Sequence, residues 1–147
     1  MDVASFLPAE NVIADYRAES KGQLLNELCM RAAKATGLDV ETVSEQILKR
    51  EQLGCTGVGG GIAIPHARLL NLKKPFGILI RLRKPLDYDA IDGEPVDIVF
   101  LLLLPAAAAG DQLNVLATIA RKLRDRDALV RMRKAPESGS LYEAFVT

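Results

Sequence analysis

The chain has 147 residues, 49% of them hydrophobic and 26% charged, which is the size and make-up of one globular domain with a core of its own. Its 19 basic and 19 acidic residues cancel, which argues against a general nucleic-acid binder, since that class carries a basic excess. Two cysteines, Cys29 and Cys55, exclude a disulfide framework. The first ten residues hold two acids and no base, unlike a signal peptide. The longest apolar run, "IVFLLLLPAAAA", is broken by Pro105 and too short to span a bilayer, so a cytoplasmic protein without direct membrane insertion is expected.

Residues 10–15, "ENVIAD", read as a short strand. Ser20 then opens a helix through a capping box with Gln23. Leu25, Leu28, Cys29, Ala32 and Thr36 follow at helical spacing, and Gly37 stops it. Cys29 falls on this apolar stripe, so core packing is its expected role. Asp39 caps a second helix, whose stripe is Val40, Val43 and Ile47. Lys49 and Arg50 lie in its last turn, where positive charge suits the helix dipole, and Gly54 ends it.

The stretch "GCTGVGGGIAIPHARL", residues 54–69, follows, with five of the eleven glycines and the sole histidine, His66. Two strand-like runs come next. "FGILIRLRKPL" places Ile78, Ile80 and Leu82 on one face and Arg81 and Arg83 on the other. "VDIVFLLLLP" is nearly continuous apolar and reads as a central strand buried on both sides. An Asp92-Gly93 turn lies between them. The remainder reads as three helices, over 111–124, the basic segment 126–134, and 138–146. The expected fold class is α/β, a single domain over 1–147 built as a three-layer α/β/α sandwich.

The glycine–histidine stretch is where chemistry is to be sought. Gly57, Gly59, Gly60 and Gly61 allow positive φ and close backbone approach, and successive N–H groups in such a loop can cradle an anion. Pro65 holds Ile64 extended, which fixes the place from which His66 emerges. Arg50, Arg68 and the loop N–H groups could all lie near it. A neutral imidazole beside an anion cradle suits covalent phosphoryl transfer. Set against this, a lone histidine near a turn is commonly a surface or hydrogen-bonded residue. The glycine run lacks the lysine and hydroxyl of a Walker loop and the strand–helix setting of a Rossmann fingerprint. One histidine with scattered acids shows no metal-ligand spacing, so no metal is expected. A Cys55–His66 nucleophile pair is a weaker alternative.

The segment "REQLGCTGVGGGIAIPHARL" resembles the active-site signature of fructose/mannitol-type enzyme IIA domains of the bacterial phosphotransferase system (PTS EIIA type-2). It is most similar to their stand-alone nitrogen-regulatory branch. The likeness extends through "PLDYDAIDGEPVDIVFLLLLP" and "QLNVLATIARKLRD", over roughly residues 5–145. It implies an α/β/α sandwich around a mixed sheet. It implies that His66 accepts a phosphoryl group at Nε2 from a histidine-containing phosphocarrier protein of the HPr/NPr type, itself charged from phosphoenolpyruvate through enzyme I. Arg50 matches the family's phosphoryl-holding arginine. No cofactor is implied. Regulation of partner proteins, as in potassium or nitrogen control, is expected over sugar uptake, because the chain ends at Thr147 without a IIB or IIC segment. The protein would then be a phosphocarrier and regulator more than a turnover enzyme.

Two positions depart from the family pattern. A second histidine is common where this chain has Gln112, which can donate a hydrogen bond but cannot titrate. Asn, Gln or Glu is usual where this chain has Gly60. Phosphoryl-binding roles are therefore expected for Gly57, Gly59, Gly60 and Gly61, with Gln112 as a polar contact. Ile62, Ile64 and Leu69 are candidates for an apolar docking centre, or else core. Arg81, Arg83 and the 126–134 helix read mainly as solvated faces. Two other readings stay open: a binding module on the same fold that uses no phosphotransfer, and the IIA subunit of a fructose/mannitol-type permease.

Overall fold

The computed structural model describes residues 3–107 and 110–147, the side chains of 110–113 excepted. Strand β1 (Val12–Tyr16) leads into helices α1 (Lys21–Thr36) and α2 (Val40–Leu53). Three short strands follow, β2 (Gly57–Gly59), β3 (Ile62–Ala63) and β4 (His66–Leu69), then two long ones, β5 (Phe76–Leu86) and β6 (Val96–Pro105). Helices α3 (Gly110–Lys122), α4 (Arg126–Lys134) and α5 (Ser138–Val146) complete the order. The sheet runs β1-β5-β6-β3-β2, with β4 continuing the β3 edge along β6. It is mixed: β6 is antiparallel to β5 and parallel to β3 and β4.

The two-sided burial of β6 organises the three layers. Val99, Leu101 and Leu103 pack with α1 and α2, while Ile98, Phe100, Leu102 and Leu104 pack with α3, α4 and α5. Alternation along a strand sends successive side chains to opposite faces, so an all-apolar strand must be covered twice. Gly77 of β5 leaves room for this packing. A Cβ there would lie 2.7 Å from the Phe100 ring.

The predicted helix starts need two adjustments. At α2 the Asp39 side chain caps no backbone N–H and accepts instead from the Thr42 hydroxyl at 3.2 Å. The Ser20 side chain accepts from the Gln23 N–H at 3.1 Å, but the Gln23 amide oxygen accepts from Glu19 N–H rather than from Ser20. Gly37 closes α1 at φ 76°, in the left-handed region that glycine favours. Arg81 is not a solvated cation. It donates to the Met132 and Ala135 carbonyls at the end of α4, where a positive group satisfies open C=O ends.

The sequence predicts a glycine loop and an extended segment over residues 57–69. Here they form a hairpin, β2 against β3, turned through Gly60 (φ 66°) and Gly61 (φ 83°). Gly60 N–H donates to Asp92 Oδ2 at 3.0 Å, and Arg133 donates to Gly60 O at 2.7 Å. A Cβ on Gly61 would sit 2.7 Å from Arg133 Nη2 and 2.8 Å from Asp97 Oδ1, whereas one on Gly60 meets nothing. Gly61→Ala is therefore expected to lower stability by about 2 kcal/mol in urea denaturation, and Gly60→Asn by less than about 0.5 kcal/mol, because asparagine tolerates the left-handed region.

Candidate functional site

The backbone around Pro65 sets the histidine. Ile62 and Ala63 pair with Ile98 and Val99 of β6, and pairing resumes at His66 opposite Leu102. Between them Ile64 N–H turns away to Thr56 O at 3.0 Å. Pro65 has no N–H to give, while its carbonyl accepts from Leu102 N–H at 2.9 Å. The Ile64 carbonyl is thus left for the imidazole: His66 Nδ1 lies 2.7 Å from it. A carbonyl only accepts, so Nδ1 carries the proton and Nε2 presents its lone pair.

Arg50, in the last turn of α2, donates through Nε to His66 Nε2 at 3.4 Å and through Nη1 to Gly54 O at 2.7 Å. Burial is the main cause holding the His66 pKa below the usual imidazole value, and the Arg50 charge acts in the same direction. The bond to Ile64 O and the charge of Glu51 oppose them, without reversing the sign. The ring is therefore neutral at cell pH, as a nucleophile requires.

The site is a cleft at the open edge of β4, with α2 packed on one face of the sheet and α3 on the other. Gln46, Lys49, Arg50 and Leu53 line it from one side of α2, at the spacing of a single helix face. His66, Ala67 and Arg68 line it from β4, with Leu104, the β6 partner of Arg68, and Leu116 of α3. His66 and Arg68 share a strand face by the period of two. Gln112 lies outside the residues whose side chains are described; it stands one turn before Leu116 on α3.

The glycines are not brought to His66. Gly61 and Ile62 stand at the Asp97–Ile98 level of β6, and His66 pairs with Leu102, four residues or about 13 Å farther along. The Gly60 N–H is already used on Asp92. Gly57 is a packing glycine, since a Cβ there would meet Ala90 Cβ at 2.9 Å. Ile62, Ile64 and Leu69 are 1–3% exposed and belong to the core, not to a docking centre. Cys55 donates to Tyr88 O at 3.2 Å and accepts from Gly57 N–H, with no hydrogen bond to His66.

Sequence reasoning missed a buried polar cluster under the site. Glu51 is only 7% exposed and pairs with Lys21 Nζ at 2.9 Å. It also accepts from Thr56 N–H, from the Thr56 hydroxyl and from Tyr88 O–H at 3.1 Å. Lys21 lies over the Tyr88 ring, 4.4 Å from its centroid. One carboxylate thereby ties α1, the end of α2, the start of the hairpin and the 87–90 loop together. A signal existed: Glu51 continues the Val43–Ile47 stripe at i+4, and a carboxylate on an apolar stripe needs partners. Burial opposes its ionisation, but the bonds from Thr56 and Lys21 outweigh that and hold its pKa below the usual carboxylate range.

An imidazole with a fixed tautomer, set at a sheet edge beside an arginine, marks the class of protein. The chain belongs to the family described as "Phosphoenolpyruvate-dependent sugar phosphotransferase system, EIIA 2", whose model matches residues 5–146. Within that family it resembles the nitrogen-regulatory members. It is 43% identical over 145 residues to a nitrogen regulatory protein of Bradyrhizobium diazoefficiens, covering 99% of this chain and 95% of the relative. The crystal structure of nitrogen regulatory protein IIA-Ntr from Neisseria meningitidis superposes with a TM-score of 0.91 at 32% identity, covering 97% and 98% of the two chains. Enzyme IIAMTL of Escherichia coli, solved in complex with phosphorylated enzyme IIBMTL, shares the fold at TM-score 0.77 and 17% identity, covering 93% and 94%.

Replacing Glu51 by alanine removes an acceptor and strands Lys21. We expect a loss of roughly 3 kcal/mol, read as a lower midpoint in urea. A carboxylate whose folded pKa is depressed stabilises the fold above its unfolded pKa and loses that stabilisation as pH falls through the folded pKa. The difference between wild type and Glu51→Gln is therefore expected to be full near pH 7 and to shrink below about pH 4.

Proposed function

We propose that this chain is a phosphoryl-accepting regulatory IIA protein, modified at His66 Nε2 by a histidine-containing phosphocarrier protein of the HPr/NPr type. Its phosphorylation state would set which regulatory proteins it binds. The observation that carries the reading is the bond from His66 Nδ1–H to Ile64 O, which leaves the Nε2 lone pair facing Arg50 in an open cleft. In the step itself the Nε2 lone pair attacks phosphorus and a new N–P bond forms. The N–P bond of the donor phosphohistidine breaks, and its electron pair returns to the donor imidazole. Positioning and charge supply most of the catalysis in such transfers. Arg50 offsets negative charge on the phosphoryl oxygens, and Gln112, one turn before Leu116, is the proposed polar contact from α3.

The hairpin glycines have no part in holding the phosphoryl group on this reading; they place the strand that carries His66. Phosphorylation adds roughly −1.5 to −2 charges at one point of the cleft, enough to change what docks there. Among the described residues no helix is long and apolar enough to cross a membrane. The reading puts the protein in the cytoplasm, with its phosphoenolpyruvate-dependent donors. The nitrogen-regulatory names of its relatives favour regulation over sugar uptake.

Incubation with phosphoenolpyruvate, enzyme I and phosphocarrier is expected to raise the intact mass by one phosphoryl group, and His66→Ala to abolish the rise. An unchanged wild-type mass with active donors overturns the reading. Arg50→Ala is expected to slow transfer by about 100-fold. Since the neutral ring is the nucleophile and its pKa is lowered, the wild-type rate should hold steady as pH falls to about 6.5 and drop only below it. In Arg50→Ala one lowering cause is gone, so the drop should begin at higher pH.

A further inference from the structure

At the opposite edge of the sheet from His66, the end of β1, the start of α1 and the second half of β5 enclose a cleft of about 440 Å³. Three strand spacings, roughly 14 Å, separate the two edges. Arg17, Ala18, Glu19, Gln23, Arg83 and Lys84 line the cleft. Tyr16 pairs with Leu82 in parallel, so Arg17 and Arg83 come next on neighbouring strands. Arg81, two residues earlier on β5, spends its guanidinium on the Met132 and Ala135 carbonyls and lies 3.6 Å from Asp15. Arg17, Arg83 and Lys84 differ: they are exposed and, among the described residues, their side chains make no hydrogen bond or ion pair. Glu19, the one carboxylate of the lining, pairs with none of them. The Gln23 amide oxygen accepts from Glu19 N–H at 2.6 Å, which leaves the NH2 end to donate elsewhere.

We propose that this cleft binds a small molecule through a diphosphate group. Three unpaired cations against one carboxylate leave an excess of positive charge in the lining, within a chain whose formal charge is zero. Cations gathered without counter-charges repel one another, and an anion placed between them removes that repulsion. Guanidinium meets phosphate oxygens with paired N–H donors, while ammonium acts as a point charge. One phosphate is held by one or two such groups; three, carried at the ends of two strands, match the longer diphosphate. The volume lies in the range of small-molecule sites and exceeds what a single phosphate needs. The first turn of α1, a helix of 16 residues, brings the positive end of its dipole to the same place. A single-stranded nucleic acid fits less well, because no aromatic side chain lines the cleft for bases to stack on. The lining holds no hydroxyl, thiol or imidazole, so its role is binding without reaction. It shares the first turn of α1 with Lys21, which pairs with Glu51 beside Arg50, and this places the ligand as an effector.

Calorimetric titration tests this, in magnesium-free buffer of fixed ionic strength, with pyrophosphate, ADP, inorganic phosphate and sulfate as probes. Wild type should take up one diphosphate per chain, at least about ten-fold more tightly than phosphate or sulfate. Arg17→Gln, Arg83→Gln and Lys84→Gln should each weaken that binding about ten-fold. Glu19→Gln should strengthen it several-fold by removing a like charge. Lys74→Gln, which removes an exposed cation outside the cleft, should leave it unchanged. All five positions are exposed, so thermal unfolding without ligand should show folded variants. Tighter binding of ADP supports an organic diphosphate as the occupant, and tighter binding of pyrophosphate an inorganic one. The proposal is overturned if neither diphosphate binds wild type at millimolar concentration. It is equally overturned if Lys74→Gln loses as much as the cleft variants, since the attraction is then diffuse. A single-stranded oligonucleotide that binds where both diphosphates fail would replace the small molecule by a nucleic acid. Phosphorylation of His66 should proceed in all five variants, so failure of diphosphate binding leaves the acceptor reading standing.

Discussion

The bond from His66 Nδ1 to the Ile64 carbonyl is the constraint on which the site depends. It is possible because the Ile64 backbone faces away from β6, its N–H going to Thr56 O while Pro65 O keeps the ladder to Leu102. With that bond, one nitrogen is protonated and tied down, and the other presents its lone pair to Arg50. A histidine free to exchange tautomers would present a lone pair at Nε2 only part of the time. The position in the fold matters equally. β4 pairs with β6 on one side only, so its outer edge opens to a cleft between α2 and α3.

Beneath this lies a second device, made for holding rather than reacting. Glu51 is the residue next to Arg50, and its four donor groups come from three residues, Lys21 and Tyr88 far off in sequence and Thr56 close by. A buried carboxylate with every partner in place favours one arrangement of the elements around it, since any shift leaves charge unpaired in a medium of low polarity. The last turn of α2 is thereby fixed, and with it the guanidinium that leans on Gly54 O and reaches Nε2. The hairpin is fixed at its other end by Arg133, which bridges Gly60 O and Asp97. His66 therefore lies on a short edge strand whose surroundings are secured at both ends.

Much of the fold was legible because its signals are local. The helices over 21–36 and 40–53 follow from caps and stripes a few residues apart, and β6 from an unbroken apolar run. The site was legible only in part. "IAIPH" and the arginine sixteen residues before it pointed, by family likeness, to His66 and Arg50 as the pair to look for, and the two side chains do meet. The glycines misled, because three of them in a row suit an anion cradle and a tight hairpin equally well. What decides between these is Asp92 and Arg133, which lie 32 and 73 residues from Gly60. Ile62 and Ile64 posed the same ambiguity in apolar form, and burial in the core under α3, α4 and α5 resolved it.

By itself the sequence determined which segments coil and which extend, that one strand lies buried on both faces, and that a single histidine follows a proline at a fixed point. Those properties are set by side-chain periodicity and backbone restriction within a few residues. Only the tertiary structure decided which nitrogen of His66 carries the proton, which glycines turn and which merely pack, and that Glu51 ties Lys21, Thr56 and Tyr88 to the end of α2. Each of these depends on groups brought together from separate parts of the chain. Hydrogen bonds, burial and charge act over ångströms in space, and sequence separation does not measure that distance.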